Sequence, residues 1–156
     1  MFDGTERAYT LLILYVIQNI NRIGTDPALE VLQEAAEKQG IIIAKKMRRD
    51  LPQDLLPLEL GAEIYRRFMI DAGAEVSIHK KDANSISFRI SRCPFYEAFL
   101  DVGVDCGYFL HGLCSNLTLP SIQETLKQFN PNLRVETLII REAAEDMCLE
   151  QIILTI

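Results

Sequence analysis

The stretch VSIHKKDANSISFRI, residues 76–90, decides the fold class of this protein. On each side of a turn-rich segment, residues 80–84, apolar side chains alternate with polar ones. The apolar members of this alternation are Val76, Ile78, Ile86, Phe88 and Ile90. Because successive side chains of a strand point to opposite faces, an alternating pattern places its apolar members on one face. The stretch therefore predicts a β-hairpin with one apolar face.

A second hairpin is predicted near the carboxyl end of the chain. Its strands are residues 133–140 and 147–154, and an acidic loop at 142–146 joins them. Two hairpins can combine into one antiparallel sheet whose apolar face is covered by helices. The sequence therefore predicts a single α+β domain over residues 1–156, in which an antiparallel sheet of about four strands packs against N-terminal and central helices.

Helical patterns fill most of the remaining chain. A helix is predicted over residues 5–20, and a second begins at Asp26-Pro27, with Asp as the cap and Pro at the first helical position. Its apolar face repeats at steps of three and four, through Leu32, Ala36, Gly40, Ile43 and Met47. Gly40 inside this helix indicates close packing against a neighbour. The other predicted helices are one ending at Gly73 and three shorter ones over residues 95–100, 105–114 and 121–129.

Composition narrows the possible function classes. The 156 residues suit one domain, and 49% apolar with 24% charged residues is ordinary for a globular protein. The formal net charge of −6 argues against a nucleic-acid partner, because such proteins carry a strongly basic face. One basic run is present, formed by Lys45, Lys46, Arg48 and Arg49. We interpret it as a solvated helix end, where cations complement the helix dipole.

The sequence contains no segment suited to a membrane. Its longest apolar run, residues 9–17, falls short of the about 20 residues that a spanning helix needs. This run also lacks the cationic start and the cleavage site of a signal peptide. We therefore expect no membrane partner and a cytoplasmic location, in which the four cysteines stay reduced.

The helix predicted over residues 5–20 is apolar on most of its sides, as the run from Leu11 to Ile17 shows. A helix of this kind lies either at the centre of the core or against a partner. We expect it to form the interface of a homodimer.

The cysteines are the main chemical signal. They are Cys93, Cys106, Cys114 and Cys148, and none of their spacings gives the C-x-x-C motif of zinc ribbons and thioredoxins. Cys93 lies at a predicted helix start, where the helix dipole lowers a thiol pKa. Two interpretations stay open. The cysteines are either small buried apolar residues, or Cys93, Cys114 and Cys148 converge on one pocket.

Other side chains are candidates for the same pocket. His111 lies three residues before Cys114, so the two can point the same way on a helix. Three converging thiols could hold a zinc-type metal, but without a zinc motif we expect no cofactor. Tyr96 and Tyr108 belong to an aromatic cluster that either packs in the core or lines an apolar ligand pocket.

Several short motifs from residue 93 onward resemble one protein family. They are Cys-Pro-Phe-Tyr-Glu-Ala-Phe at 93–99, Leu-Cys at 113–114, Phe-Asn-Pro-Asn-Leu at 129–133 followed by Glu136, and Asp-Met-Cys at 146–148. These motifs are similar to those of the L-2-amino-thiazoline-4-carboxylic acid hydrolase family. More distantly, the chain resembles the 4-vinyl-reductase-type hydrocarbon-binding domains. The amino-terminal half matches only in outline.

The resemblance implies an α+β ligand-binding fold, usually dimeric, with a pocket near Cys93, Cys114 and Cys148. The activity it implies is hydrolytic opening of a thiazoline ring, a step towards cysteine.

Three functions are compatible with these observations. The first, which we favour, is a domain that binds a small apolar or thiol-reactive molecule in a cysteine-lined pocket. The second is a hydrolase of a cyclic carboxylate, with Cys93 as nucleophile or ligand, His111 as general base, and Arg92 or Arg141 as carboxylate anchor. The third is a structural or adaptor subunit that docks through its apolar first helix.

Overall fold

The computed structural model describes residues 4–103, 112–143 and 145–156. These residues form five α-helices, a short π-helix and four strands. In chain order the elements are α1 (Gly4–Ile23), α2 (Thr25–Met47), α3 (Pro57–Asp71), β1 (Glu75–Lys81), β2 (Ser85–Arg92), α4 (Pro94–Val102), the π-helix (Cys114–Thr118), α5 (Leu119–Lys127), β3 (Leu133–Ile139) and β4 (Cys148–Leu154). The predicted helix over 105–114 falls mainly outside the described residues, and Cys106, Tyr108 and His111 fall there with it.

The two predicted hairpins form one antiparallel sheet with the strand order β1-β2-β4-β3. Strands β2 and β4 join the hairpins at its centre, where Ile90 lies opposite Cys148. On β2, Ile86, Phe88 and Ile90 are buried, whereas Arg89 is exposed, as the alternation in the sequence requires. The predicted fold class, an α+β fold with a four-stranded antiparallel sheet, is confirmed.

Two apolar clusters make up the core. The larger one packs α3 against the sheet through Ile64, Tyr65 and Ile152, all fully buried. The smaller one packs α1 against α4 through Ile13 and Phe99. Cys93, between β2 and α4, contacts both clusters. Cys93, which the sequence analysis selected as a candidate site residue, therefore lies at the junction of the two clusters.

Helix α2 carries the predicted apolar face, but it begins earlier than predicted. Ala36, Gly40 and Met47 are buried along that face. The residue before the helix is Gly24, with a φ of 91° that favours glycine, so the predicted cap at Asp26 is wrong. Asp26 lies instead in the first turn, where a carboxylate complements the helix dipole.

The helix predicted from Ser121 is the end of a longer helical run, which is described from Gly112 onward and includes the π-helix. Pro120 has no N–H group and its ring collides with the carbonyl group four residues earlier, so a regular α-helix cannot continue through it. A wider π turn just before Pro120 accommodates this clash. The five residues of this turn are all partly buried.

Helix α1 has an inner and an outer face. Ile13 and Val16 are buried, whereas Leu11, Leu14 and Tyr15 are 70%, 48% and 64% exposed. Among the helices that the structure describes, none combines the length and the apolar character needed to cross a membrane.

The contact at Gly40 yields a stability prediction. A Cβ atom at this position would lie 2.6 Å from the Ser121 carbonyl oxygen and 2.8 Å from the Glu124 Cβ atom. We expect Gly40→Ala to lower the free energy of unfolding by about 1–2 kcal/mol, because overpacking outweighs the gain in helix propensity. Urea unfolding measures this change. Gly4→Ala, with no atom within 4 Å of the new Cβ, is the control and should change stability by less than about 0.5 kcal/mol. A Gly40→Ala variant as stable as wild type would contradict the packing described.

Candidate functional site

A cavity of about 340 Å³ lies at the junction of the two core clusters. Every helix, the π-helix and the strands β2, β3 and β4 contribute to its wall. Most of these wall residues are apolar, and Leu12, Phe68 and Ile140 are examples. Two wall residues, Gln39 and Asp71, are exposed, so the cavity reaches the surface beside them.

Three of the cysteines line this cavity. Cys93 precedes α4, Cys114 begins the π-helix and Cys148 begins β4. The pairing of Ile90 with Cys148 brings the start of β4 next to the end of β2, which Cys93 follows closely. The structure thus brings together the three thiols that the sequence analysis grouped, although they are far apart in the chain. All three are free thiols.

The remaining candidates are placed differently. His111 and Tyr108 lie outside the described residues. Tyr96 is buried in the smaller core cluster and does not line the cavity. Arg141 is also buried, 3% exposed, and its guanidinium group lies 5.3 Å from the centre of the Tyr96 ring. It is not among the wall residues either.

The expected activation of Cys93 by a helix dipole is corrected by the structure. Burial raises the pKa of the Cys93 thiol to about 11, and the backbone N–H groups of Phe95 and Tyr96 oppose this rise only in part. Burial also raises the pKa of Cys114 well above its ordinary value. The dipole effect is thus present, but the cost of removing a thiolate from water is larger. Both thiols are protonated at neutral pH.

A metal site at Cys93, Cys114 and Cys148 gains no support from the described residues. Within ranges 4–103, 112–143 and 145–156, no group of three His, Cys, Asp or Glu side chains is arranged to hold a metal ion. Zinc binds the thiolate form of cysteine, and burial disfavours that form at Cys93 and Cys114. The zinc-type site stays a prediction from the sequence.

Glu150 is a wall residue that the sequence analysis missed. It lies on β4 between Cys148 and Ile152 in the alternation, so its side chain shares their face of the sheet. It is only 6% exposed, and burial raises the pKa of its carboxyl group. The sequence carries no clear signal for this position, because Leu149 and Ile153 make the other face of β4 apolar as well, so the alternation does not show which face points inward.

The Glu150 carboxyl group accepts two hydrogen bonds. The Tyr65 hydroxyl donates to Oε1 over 2.7 Å, and the Thr137 hydroxyl donates to Oε2 over 3.4 Å. Thr137 lies directly opposite Glu150 in the pairing of β3 with β4. Two strands and α3 thus fix the position of this carboxyl group at the cavity wall.

Neither arginine considered as a carboxylate anchor lines the cavity. Arg92 forms an ion pair with Glu97 near the surface, with 2.9 Å between Nε and Oε1. Arg141 donates from a terminal nitrogen to the Ile90 carbonyl oxygen over 2.7 Å, and its Nε has no hydrogen-bond partner among the residues that the structure describes. None of the described wall residues is Lys, Arg or His.

Comparisons with known proteins add no family assignment: no protein-family model matches the chain, and no curated protein matches it.

The raised pKa of Cys93 predicts slow alkylation. At about pH 7.5 we expect iodoacetamide to modify Cys93 in the native protein roughly a hundred-fold more slowly than in the urea-unfolded chain, because little thiolate is present. Mass spectrometry of the Cys93 peptide measures the two rates. Similar rates in both states would show that burial does not suppress this thiol.

Glu150 predicts a pH dependence of stability. Because its pKa is raised in the folded state, its contribution to stability is complete at low pH and is lost as pH rises through the folded pKa. We expect the stability of Glu150→Gln, relative to wild type, to increase from about pH 4 to pH 7. Urea unfolding across this range measures the difference. The exposed Glu30→Gln is the control, whose difference from wild type should stay constant with pH. If the stability of Glu150→Gln relative to wild type also stayed constant with pH, the burial of the Glu150 carboxyl group would be contradicted.

Proposed function

We propose that this protein is a small-molecule-binding domain, and that the cysteine-lined cavity holds an apolar ligand. The cavity itself is the observation that supports this proposal most. Its volume of about 340 Å³ lies within the range of roughly 300–1,000 Å³ that is typical of ligand sites. It is mostly apolar and contains a few fixed polar groups, as such sites commonly do.

The state of the thiols supports an apolar ligand over a thiol-reactive one. Cys93 and Cys114 are held as neutral thiols by burial. A neutral thiol behaves as a small polarizable apolar group, whereas covalent attack requires the thiolate. The sulfur atoms of Cys93 and Cys114 therefore add to the apolar surface that a ligand contacts, and non-covalent binding is the mode that we propose.

The hydrolase alternative has less support. Its nucleophile, Cys93, has a raised pKa, and neither Arg92 nor Arg141 lines the cavity to anchor a substrate carboxylate. Its general base, His111, lies outside the described residues. The likeness to a hydrolase family rests on the sequence motifs alone.

Two features support proposals about the oligomeric state and the cellular compartment of the protein. Leu11, Leu14 and Tyr15 are exposed at steps of three and four on α1, and this apolar patch supports a homodimer that buries α1 between two copies. The three free thiols support a reducing compartment such as the cytoplasm.

A substitution that fills the cavity tests the proposal. Octan-1-ol is the probe, and at a concentration of about 100 times its Kd it should stabilise the wild type by about 2.7 kcal/mol. Leu117, on the π-helix, lines the cavity and is partly buried. We expect Leu117→Trp to abolish most of this stabilisation, because the larger ring occupies the ligand volume. Urea unfolding with and without octan-1-ol measures the effect.

Leu138→Trp makes the same change at a residue that is 48% exposed and outside the cavity wall. This control should respond to octan-1-ol as the wild type does. If octan-1-ol stabilises neither the wild type nor the control, the cavity is not a binding site for it. The same conclusion follows if octan-1-ol stabilises Leu117→Trp as much as it stabilises the wild type.

A further inference from the structure

The carboxyl group of Glu150 is the most polar feature of the cavity. It lies on the buried face of β4, and the adjacent inward position is occupied by Ile152, which is fully buried. A carboxyl group at such a position loses its hydration and adds no apolar contact that an aliphatic side chain would not add. Its presence at the wall therefore suggests an interaction with something inside the cavity.

Burial raises the pKa of the Glu150 carboxyl group, but the two hydroxyl donors around it act in the opposite direction and favour its ionised form. Tyr65 and Thr137 both have hydroxyl groups, and each one donates to a different carboxyl oxygen. A carboxylate has about four acceptor sites, so two hydroxyl donors leave part of its capacity unused. The arrangement can therefore accept a further donor from the cavity side.

A positive partner for this carboxylate is missing among the described residues. The described ionisable wall residues are Tyr9, Asp71, Cys93, Cys114, Cys148 and Glu150, and none of these side-chain types can carry a positive charge. The Glu150 oxygens take part in no ion pair with the described part of the chain.

Arg141 does not supply the missing charge. Its guanidinium group donates to the Ile90 carbonyl oxygen and lies over the Tyr96 ring, away from the cavity wall. Its positive charge lowers the thiol pKa of Cys93 and Cys114, and among the contacts of the described residues it forms no hydrogen bond or ion pair with Glu150.

We infer that the ligand is an amphipathic amine whose ammonium group binds the Glu150 carboxylate while its apolar part fills the cavity. This inference rests on the proposed function and specifies the ligand class. An ammonium group offers N–H donors for the unused acceptor sites of the carboxylate, and it offers the positive charge that no described wall residue supplies. The apolar wall and the neutral thiols then bury the remainder of the molecule.

The size and the entrance of the cavity fit such a ligand. A cavity of about 340 Å³ is large enough for one short alkyl chain with a polar end. Asp71 stands exposed at the rim, and the net charge of −6 attracts cations to the protein.

Three probes of equal chain length test the inference: octylamine, octan-1-ol and octanoate. Calorimetry near pH 7.5 should give the wild type a Kd for octylammonium at least about tenfold lower than for octan-1-ol, because charge-assisted hydrogen bonds are stronger than neutral ones. Octanoate should bind more weakly than octan-1-ol. Near pH 5, amine binding should also release protons, because the carboxyl group ionises on contact with the ammonium group.

Glu150→Gln tests the role of the carboxylate itself. We expect this variant to lose at least about tenfold in octylammonium affinity and to lose the proton release, while its affinity for octan-1-ol stays within about threefold of wild type. Retained octan-1-ol binding shows that the variant is folded and that its cavity is intact. Glu30→Gln, at an exposed residue outside the cavity wall, is the matched control and should keep the preference for octylammonium.

The outcomes separate this inference from the proposed function. Equal affinity for octylammonium and octan-1-ol, or an amine affinity unchanged in Glu150→Gln, would overturn the inference and leave the apolar site standing. Tighter binding of octanoate would also overturn it. If none of the three probes binds, the proposed function itself fails.

Discussion

The backbone pairing of β2 with β4 is the constraint on which the rest of the structure depends. It is the contact that turns two local hairpins into one sheet, and it connects segments that are about 60 residues apart in the chain. Its register places Cys148 opposite Ile90 and Glu150 opposite Phe88. A shift by one residue would turn Cys148 and Glu150 away from the helices and remove both from the cavity.

The cavity exists because two core clusters meet without filling the space between them. One cluster is organised by the sheet and α3, the other by α1 and α4, and Cys93 contacts both. The π-helix before Pro120 supplies the remaining wall, because its widened turn carries Cys114 and Leu117 to the same space. An interior normally packs densely, so a gap of this size with a carboxyl group at its wall supports the proposal of a ligand site.

The fold could be predicted from the sequence because its signals are local. The alternation in residues 76–90 and the face of α2 that includes Gly40 both depend on neighbouring residues, and both agree with the structure. The start of α2 was misplaced because Asp26-Pro27 suits a first turn as well as a cap. The continuity of the helix through Pro120 was missed because a π turn has no clear sequence pattern.

The site could be predicted only in part, since its properties depend on burial. Grouping Cys93, Cys114 and Cys148 relied on their residue type and on the family-like motifs that contain them, but the pKa of Cys93 depends on how completely the fold excludes water from it. For the same reason, Glu150 was indistinguishable from a surface carboxylate until the register of β4 was known. The most direct test of the account is methyl NMR of isoleucine during titration with octan-1-ol. The account predicts shifts at Ile43, Ile90 and Ile140, which line the cavity, and none at the exposed Ile23. Shifts confined to exposed isoleucines would contradict it.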